Sequence, residues 1–325
     1  MMAYIIRRFI YAIPILIGVN VITFLLFFVV NTPDDMARMH LGQKRVTIQA
    51  IEKWKHERGY DKPVLWNAEA DGKNKLTETI FYQNSVRLFL FDFGRSDSGR
   101  DINYDISQRM WPSLSISLPG LFLGLFAYIS FGLTLSFFRA SYLDIWGVVI
   151  CVMMMSISSL FYIIWGQVVI GKLLNLAPIS GYDTGLDSIK FIILPILLGL
   201  IGGIGASTRW YRTIFLEEMG KDYVRTARAK GLSESMVLDR NVLRNGMIPI
   251  LTGVVVILPL LFMGSLITES FFSIPGLGSY IVDAISSQDF AIVRSIVFLG
   301  SVLYIIGLLL TDISYTLVDP RVRLQ

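Results

Sequence analysis

Phe9–Val30 reads FIYAIPILIGVNVITFLLFFVV, an unbroken run without a charged side chain. As a helix rising about 1.5 Å per residue it would be roughly 33 Å long, enough to cross a hydrocarbon core ~30 Å thick. A soluble fold has little use for such a run, because its helices bury one stripe and wet the other. Arg7 and Arg8 just before it resemble the opening of a secretory signal. The run is longer than a signal core and no small-residue cleavage site follows, so it is read as an uncleaved anchor.

Outward from this run, further apolar stretches occur at about Ser113–Phe138, Ile145–Ile170, Phe191–Ser207, Met247–Thr268 and Ser295–Thr316. Six spans make the chain an all-α integral membrane protein. Composition agrees: 54% of its 325 residues are hydrophobic and 17% charged, against about 25% charged in soluble domains. The domain division that follows is 1–30 for the N-terminal end and first helix, 31–112 for a long outer segment, and 113–325 for a five-helix core.

An even number of spans puts both termini on one side, and short loops choose which. With the termini inside, the inner segments hold Arg7, Arg8, Arg139, the basic cluster from Arg209 to Arg244, Arg321 and Arg323. The short outer loops then hold far fewer, Lys172 and Lys190 among them. Both termini are therefore expected to be cytoplasmic. Gly120/Gly124 and Gly199/Gly203 have the spacing of close helix contacts, and Cys151, the single cysteine, reads as a buried structural thiol. Asn20 is an isolated polar residue in the first span, expected to hydrogen-bond a neighbour.

In the outer segment, QKRVTIQAIEKWKHERGYDKPV (43–64) reads as a short amphipathic helix with a turn at Asp61–Pro63. Ile102, Ile106 and Met110 share one helical face, predicting a surface helix that leads into the second span. His40 and His56 are the only histidines and read as solvated side chains, so no metal site is expected.

The inner loop Thr208–Gly246 is far longer than the about 2–8 residues that join helices in bundles. Glu217–Lys221 and Asp222–Arg225 have i,i+4 and i,i+3 spacing on a first helix. Gly231 suits the left-handed residue that ends it. Ser233 then caps a second helix, with Glu234 in its first turn and Arg240 and Arg244 in its last. Ala227 and Ala229 leave room for a close-packed surface. From the residues alone, two readings stay open: a helix lying on lipid headgroups, or a docking turn for another protein.

DYVRTARAKGLSESMVLDRNVLRN (222–245) resembles the cytoplasmic coupling loop of binding-protein-dependent ABC importer permeases. RTARAKGL in particular resembles the B-type subunit of the oligopeptide/dipeptide/nickel importer family. MMAYIIRRFIYAIPILIGVNVITFLL is similar to that family's first span, FDFGRS to its outer-segment motif and FIILPILLGL to its fourth span. GSLITESFFSIPGLGSYIVDAISSQDFAIV is similar to its fifth span and outer hairpin, and DISYTLVDPRVR to its C-terminal signature. Two departures stand out: NTPDD follows the first span where the family has a Pro-Gly pair, and residues around 67–79 read as an insertion.

The resemblance implies a type I importer permease in a bacterial cytoplasmic membrane. It would carry oligopeptides or dipeptides, with nickel or another small solute as the alternative. Its partners would be a second homologous permease, two cytoplasmic ATP-binding subunits, an extracytoplasmic binding protein and the lipid bilayer, with no nucleic acid. ATP and magnesium would belong to the ATP-binding subunits, and this chain would bind no cofactor and catalyse nothing. Ala227, Ala229, Lys230, Gly231 and Leu232 would form the docking turn, with Arg225 and Arg228 offering charge. Pro275, Gly276 and Gly278 would form an outer gate or binding-protein contact.

Two rival classes find little support in the residues. GQVVIGKL (166–173) is close to a phosphate-binding loop, but Leu173 replaces the hydroxyl that would hold magnesium and no strand precedes it. An ion-coupled transporter would want charged groups at mid-membrane, and the spans nearly lack them. Glu269 and Asp312 lie near span ends, where hydration or a helix-end role is expected.

Overall fold

A computed structural model of the protein describes residues 2–42, 46–68, 72 and 74–318. Lys44, Arg45, part of the 67–79 insertion, and the C-terminal motif from Asp319, with Arg321 and Arg323, lie outside the described residues. Those described are helices and connecting loops, with one isolated antiparallel bridge, Arg95 to Asp101.

The helices in order are α1 (Met2–Leu25), α2 (Pro33–Leu41), α3 (Ile48–Arg58), α4 (Ile102–Phe137), α5 (Tyr142–Met155), α6 (Ser159–Gly166), α7 (Ile189–Met219) and α8 (Asp222–Ala229). They continue with α9 (Glu234–Phe271), which includes π and 3-10 turns and is interrupted at Gly264 and Ser265, then α10 (Leu277–Ser286) and α11 (Phe290–Val318). Among the described residues, five stretches are long and apolar enough to cross a membrane: Arg7–Val30, Ile102–Phe137, Ile189–Met219, Glu234–Phe271 and Phe290–Ser314. A sixth exists if Tyr142–Met155 and Ser159–Leu173, bent by 86°, count as one span.

That bend corrects the continuous third span expected at Ile145–Ile170. α5 stops at Met155, and Ser158 takes an extended backbone and accepts a hydrogen bond from Leu160 N at 3.3 Å. Small hydroxyls inside an apolar run can cap a new helix as readily as continue the old one, and hydropathy is blind to the difference. The second span likewise differs. It begins at Ile102, fused with the predicted surface helix, and carries Pro112 and Pro119 within it.

The chain packs as two compact units: residues up to Arg109 with Tyr280–Leu309, and Met110–Ser279 with residues after Leu310. In the first unit, Phe24 of α1 and Phe28, in the π turn that follows it, pack with Met36 and Ala37 of α2, Ile51 and Trp54 of α3, Tyr60 and Ile80. α2 starts with a capping box between Thr32 and Asp35, with Pro33 in its first turn. α3 matches the predicted amphipathic helix and ends at Gly59 in the left-handed conformation. Asn20 is buried and donates to Ser85 O at 3.1 Å.

In the second unit, close backbone approach rather than bulk holds the long helices together. A Cβ on Gly132 would lie 3.2 Å from Thr208 O and 3.1 Å from Arg212 N; one on Gly205 would lie 2.5 Å from Cys151 O. Cys151 is buried there, as a structural thiol should be. Of the glycines expected to mediate contacts, only Gly203 faces another helix, beneath the Tyr128 hydroxyl. Gly120 and Gly199 meet nothing within 4 Å, and Gly124 meets Tyr128 of its own helix. Spacing picks a face, whereas the neighbour opposite that face is chosen by the fold.

Candidate functional site

The loop 208–246 is built from the end of α7, the short α8 and the start of α9. α7 runs to Met219 and stops at Gly220; Lys221 then takes an extended backbone as the N-cap of α8. This break redirects the predicted Glu217–Lys221 pair. Lys221 has left the helical path, so its ammonium reaches the buried Glu218 instead, which also accepts from the Tyr223 hydroxyl. Burial, and then the bond to Glu218, push the Tyr223 hydroxyl up to about 12. The predicted Asp222–Arg225 pair forms at 3.3 Å, but both side chains are exposed, so it adds only a few tenths of a kcal/mol.

α8 turns Val224 and Ala227, one helical turn apart, into a cluster with Ile214, Phe215, Val237, Leu238, Val242 and Ile250. Its C-terminus is a Schellman motif: Gly231 N donates to Arg228 O at 2.9 Å, and Leu232 N to Ala227 O at 3.4 Å. Gly231 has φ +79°, the predicted left-handed conformation, and a Cβ there would meet no atom within 4 Å. Glycine is therefore required at 231 by backbone torsion and not by space. Across the turn, the Arg228 guanidinium forks onto the Glu234 carboxylate at 2.9 and 3.2 Å, a paired, charge-assisted contact.

Of the sequence-predicted docking residues, Arg225, Arg228, Ala229, Lys230, Gly231 and Leu232 share an exposed rim. Ala227 does not; at 6% exposure it belongs to the cluster beneath. Ser233 precedes α9 in extended backbone, but its hydroxyl meets Ser235 Oγ at 3.3 Å instead of capping an N–H. The predicted second helix does not end near Arg244. α9 continues from Glu234 to Phe271 as a single span, so the turn is directly coupled to a membrane helix. Hydrophobic residues Val237, Leu238 and Val242 carry the helix through the region where a basic end was expected.

At the opposite end of α9, Glu269 is 1% exposed, which overturns the expectation of hydration and keeps the helix-end role. Its carboxylate accepts from Ser265 N and Ser279 N, each at 3.1 Å, tying the last turn of α9 to α10. Ser113, also buried, accepts from Leu277 N at 2.8 Å. A Cβ on Gly276 would overlap the Glu269 carboxylate, and one on Gly278 would lie 2.6 Å from Ser265 backbone atoms. Among the predicted gate residues, Pro275 is exposed, while Gly276 and Gly278 are buried close-packing positions.

Two residues that sequence reasoning passed over fix the bent span. Asp144 accepts from Arg212 Nε and Nη2, both at 2.8 Å, and from Ala140 N at 3.0 Å. Arg212 lies on α7, the helix that carries the loop above, so this fork ties the first half of the bend to it. The Ser141-x-x-Asp144 spacing of a capping box was the available signal for Asp144; Arg212 looked like one more member of a basic cluster.

The long apolar helices, with a two-helix turn continuous with one of them, define a helical membrane protein. The family model for the binding-protein-dependent transport system inner membrane component matches residues 120–324, and the N-terminal model of such membrane components matches residues 1–69. The chain belongs to this family and is a B-type permease subunit of an ABC importer, a multi-pass inner-membrane protein that works with other importer components. It is 31% identical to the di/tripeptide transport system permease protein DppB of Pseudomonas aeruginosa (strain UCBPP-PA14), over 100% of both chains. It is 30% identical to the dipeptide transport system permease protein DppB of Lactococcus lactis subsp. cremoris (strain MG1363), also over 100% of both. The glutathione transport system permease protein GsiC of Salmonella paratyphi A (strain ATCC 9150 / SARB42) is 29% identical over 99% of each.

Proposed function

We propose that this chain conducts short peptides across a bacterial cytoplasmic membrane, paired with a second, homologous permease and driven by two cytoplasmic ATP-binding subunits. The names of its full-length relatives, for dipeptides, di/tripeptides and glutathione, support the substrate class. Both termini are cytoplasmic in this reading, supported by Arg7, Arg8, Arg139 and the basic loop. The 31–112 segment and Pro275 then face an extracytoplasmic binding protein. ATP and magnesium are held by the partner subunits, and this chain hydrolyses nothing.

The observation that carries the coupling assignment is the Schellman turn at Gly231 with its exposed rim Ala229–Leu232, clamped by Arg228–Glu234 and continuous with α9. An ATP-binding subunit that grips this rim moves a membrane span directly. Arg225 and Arg228 offer the partner charge; Ala227 supports the rim from beneath.

The test is reconstitution of the assembled importer with its binding protein in proteoliposomes. ATP-dependent uptake of trialanine is expected, and Gly231→Val should lose both uptake and stimulated ATP hydrolysis while still inserting in the membrane. Normal uptake by Gly231→Val would remove the coupling assignment. Uptake of nickel without uptake of peptide would replace the substrate.

A further inference from the structure

A cavity of about 490 Å³ lies wholly within the first unit. Arg58, Arg87, Arg95 and Arg294 line it, against the carboxylates Glu57, Asp92 and Asp97. No sequence motif marked this cavity, because its residues come from α3, the stretch 83–99 and the start of α11.

The charges are not all spent on one another. Arg58 and Asp97 form a tight pair, 2.8 Å apart, with the guanidinium stacked over Trp54. Arg87 and Asp92 stand 3.8 Å apart and half exposed, beyond hydrogen-bond distance. Arg95 is exposed.

Arg294 is the telling residue. It is 6% exposed, its guanidinium lies 4.8 Å from the centre of the Phe28 ring, and its only hydrogen bonds among the described residues go to Asn84 oxygens at 2.9 and 3.4 Å. Its Nε has no hydrogen-bond partner among the described residues. The neighbouring carboxylates are already engaged: Asp97 with Arg58, and Asp289 with the N–H groups of Asp97 and Ile292. Asp97 and Asp289 lie near enough to act on it electrostatically, yet neither hydrogen-bonds it among the described residues, so a buried donor still wants an acceptor, and a carboxylate is the planar anion that fits its fork.

The acids at the same cavity decide which carboxylate. A dianion such as phosphate would be repelled by Glu57 and Asp92, whereas a zwitterion satisfies both sets. The volume lies within the range of small-ligand pockets, ~300–1,000 Å³. We propose that this cavity binds a short zwitterionic peptide, its terminal carboxylate answering Arg294 and the arginines at the mouth, its ammonium answering Glu57 and Asp92. Because the lining is polar, recognition rests on the two termini and tolerates varied side chains. The choice of peptide rests on the transport reading above; the need for a carboxylate rests on Arg294 alone.

The experiment is calorimetric titration of the full-length permease in detergent with trialanine, trialanine amide, N-acetyl-trialanine and inorganic phosphate, alongside trialanine uptake by the assembled importer. Trialanine is expected to bind, with the amide at least ten-fold weaker, the acetylated form weaker by a smaller factor, and phosphate not competing. Arg294→Gln should weaken trialanine at least ten-fold. Arg95→Ala, at an exposed position, should weaken it several-fold with an unchanged ligand-free unfolding temperature, which separates lost binding from lost folding. Equal affinity for trialanine and its amide, or wild-type affinity in both variants, overturns the proposal. Uptake without binding at the isolated permease overturns the cavity and leaves the peptide reading standing. Amide-sensitive binding without uptake keeps the cavity and removes the transport reading.

Discussion

Gly231 and Gly276 are both constrained positions, for opposite reasons, and substitutions tell them apart. At Gly231 the constraint is φ +79° in open space, so Gly231→Asn should keep the turn, since asparagine tolerates the left-handed region. Gly231→Val should lose it. Matched ATPase assays on the assembled importer would show this, and equal loss in both variants would mean the rim tolerates no side chain at all. At Gly276 the constraint is space beside Glu269, so even Gly276→Ala should destabilise, by about 1–3 kcal/mol on the scale of overpacking. A thermal unfolding series in detergent checks it, and no shift in midpoint would count against the Glu269 cradle. Tyr223 adds a pH signature. Its hydroxyl is raised from 10.0 to about 12, so the folded state holds the proton more tightly. The stability this brings is complete below pH 10 and is lost as pH rises from 10 towards 12. Hydrogen exchange at α8 should accelerate over that window, and Tyr223→Phe should remove the Tyr223 contribution.

At the scale of elements, the bent third span is the part most exposed to a single change. Asp144 and Arg212 have side chains 7% and 21% exposed and form two bonds of 2.8 Å. Truncating either partner of such a buried pair costs roughly 3–5 kcal/mol, because the other charge is stranded. Arg212→Ala and Asp144→Ala should therefore each lower the unfolding midpoint, and the double variant should lower it by less than their sum. Strict additivity would show that the pair does not hold α5 to α7. The bend itself lay hidden in the sequence because Ser156, Ser158 and Ser159 sit inside a run whose hydropathy never falls far. The amphipathic α3 was visible for the converse reason: its period, its Gly59 stop and its charged face all agree.

For the whole molecule, the relatives set the chain's class along nearly its full length, while the chemistry that distinguishes it is gathered from distant segments. Arg294 meets Asn84, Ser113 meets Leu277, and Asp144 meets Arg212. Sequence separation hides such pairs, and each is buried enough to matter.

A membrane-spanning helical protein was legible in the residues alone, because runs such as Phe9–Val30 have no other stable environment. The residues also determined where the turn falls at Gly231, because a left-handed residue is a local demand that glycine alone meets cheaply. Packing, by contrast, set Ala227 beneath the rim, enclosed Glu269 and left the Arg294 Nε without an acceptor among the described residues. Burial is a property of what packs against a residue, and those neighbours are brought in by helices from elsewhere in the chain.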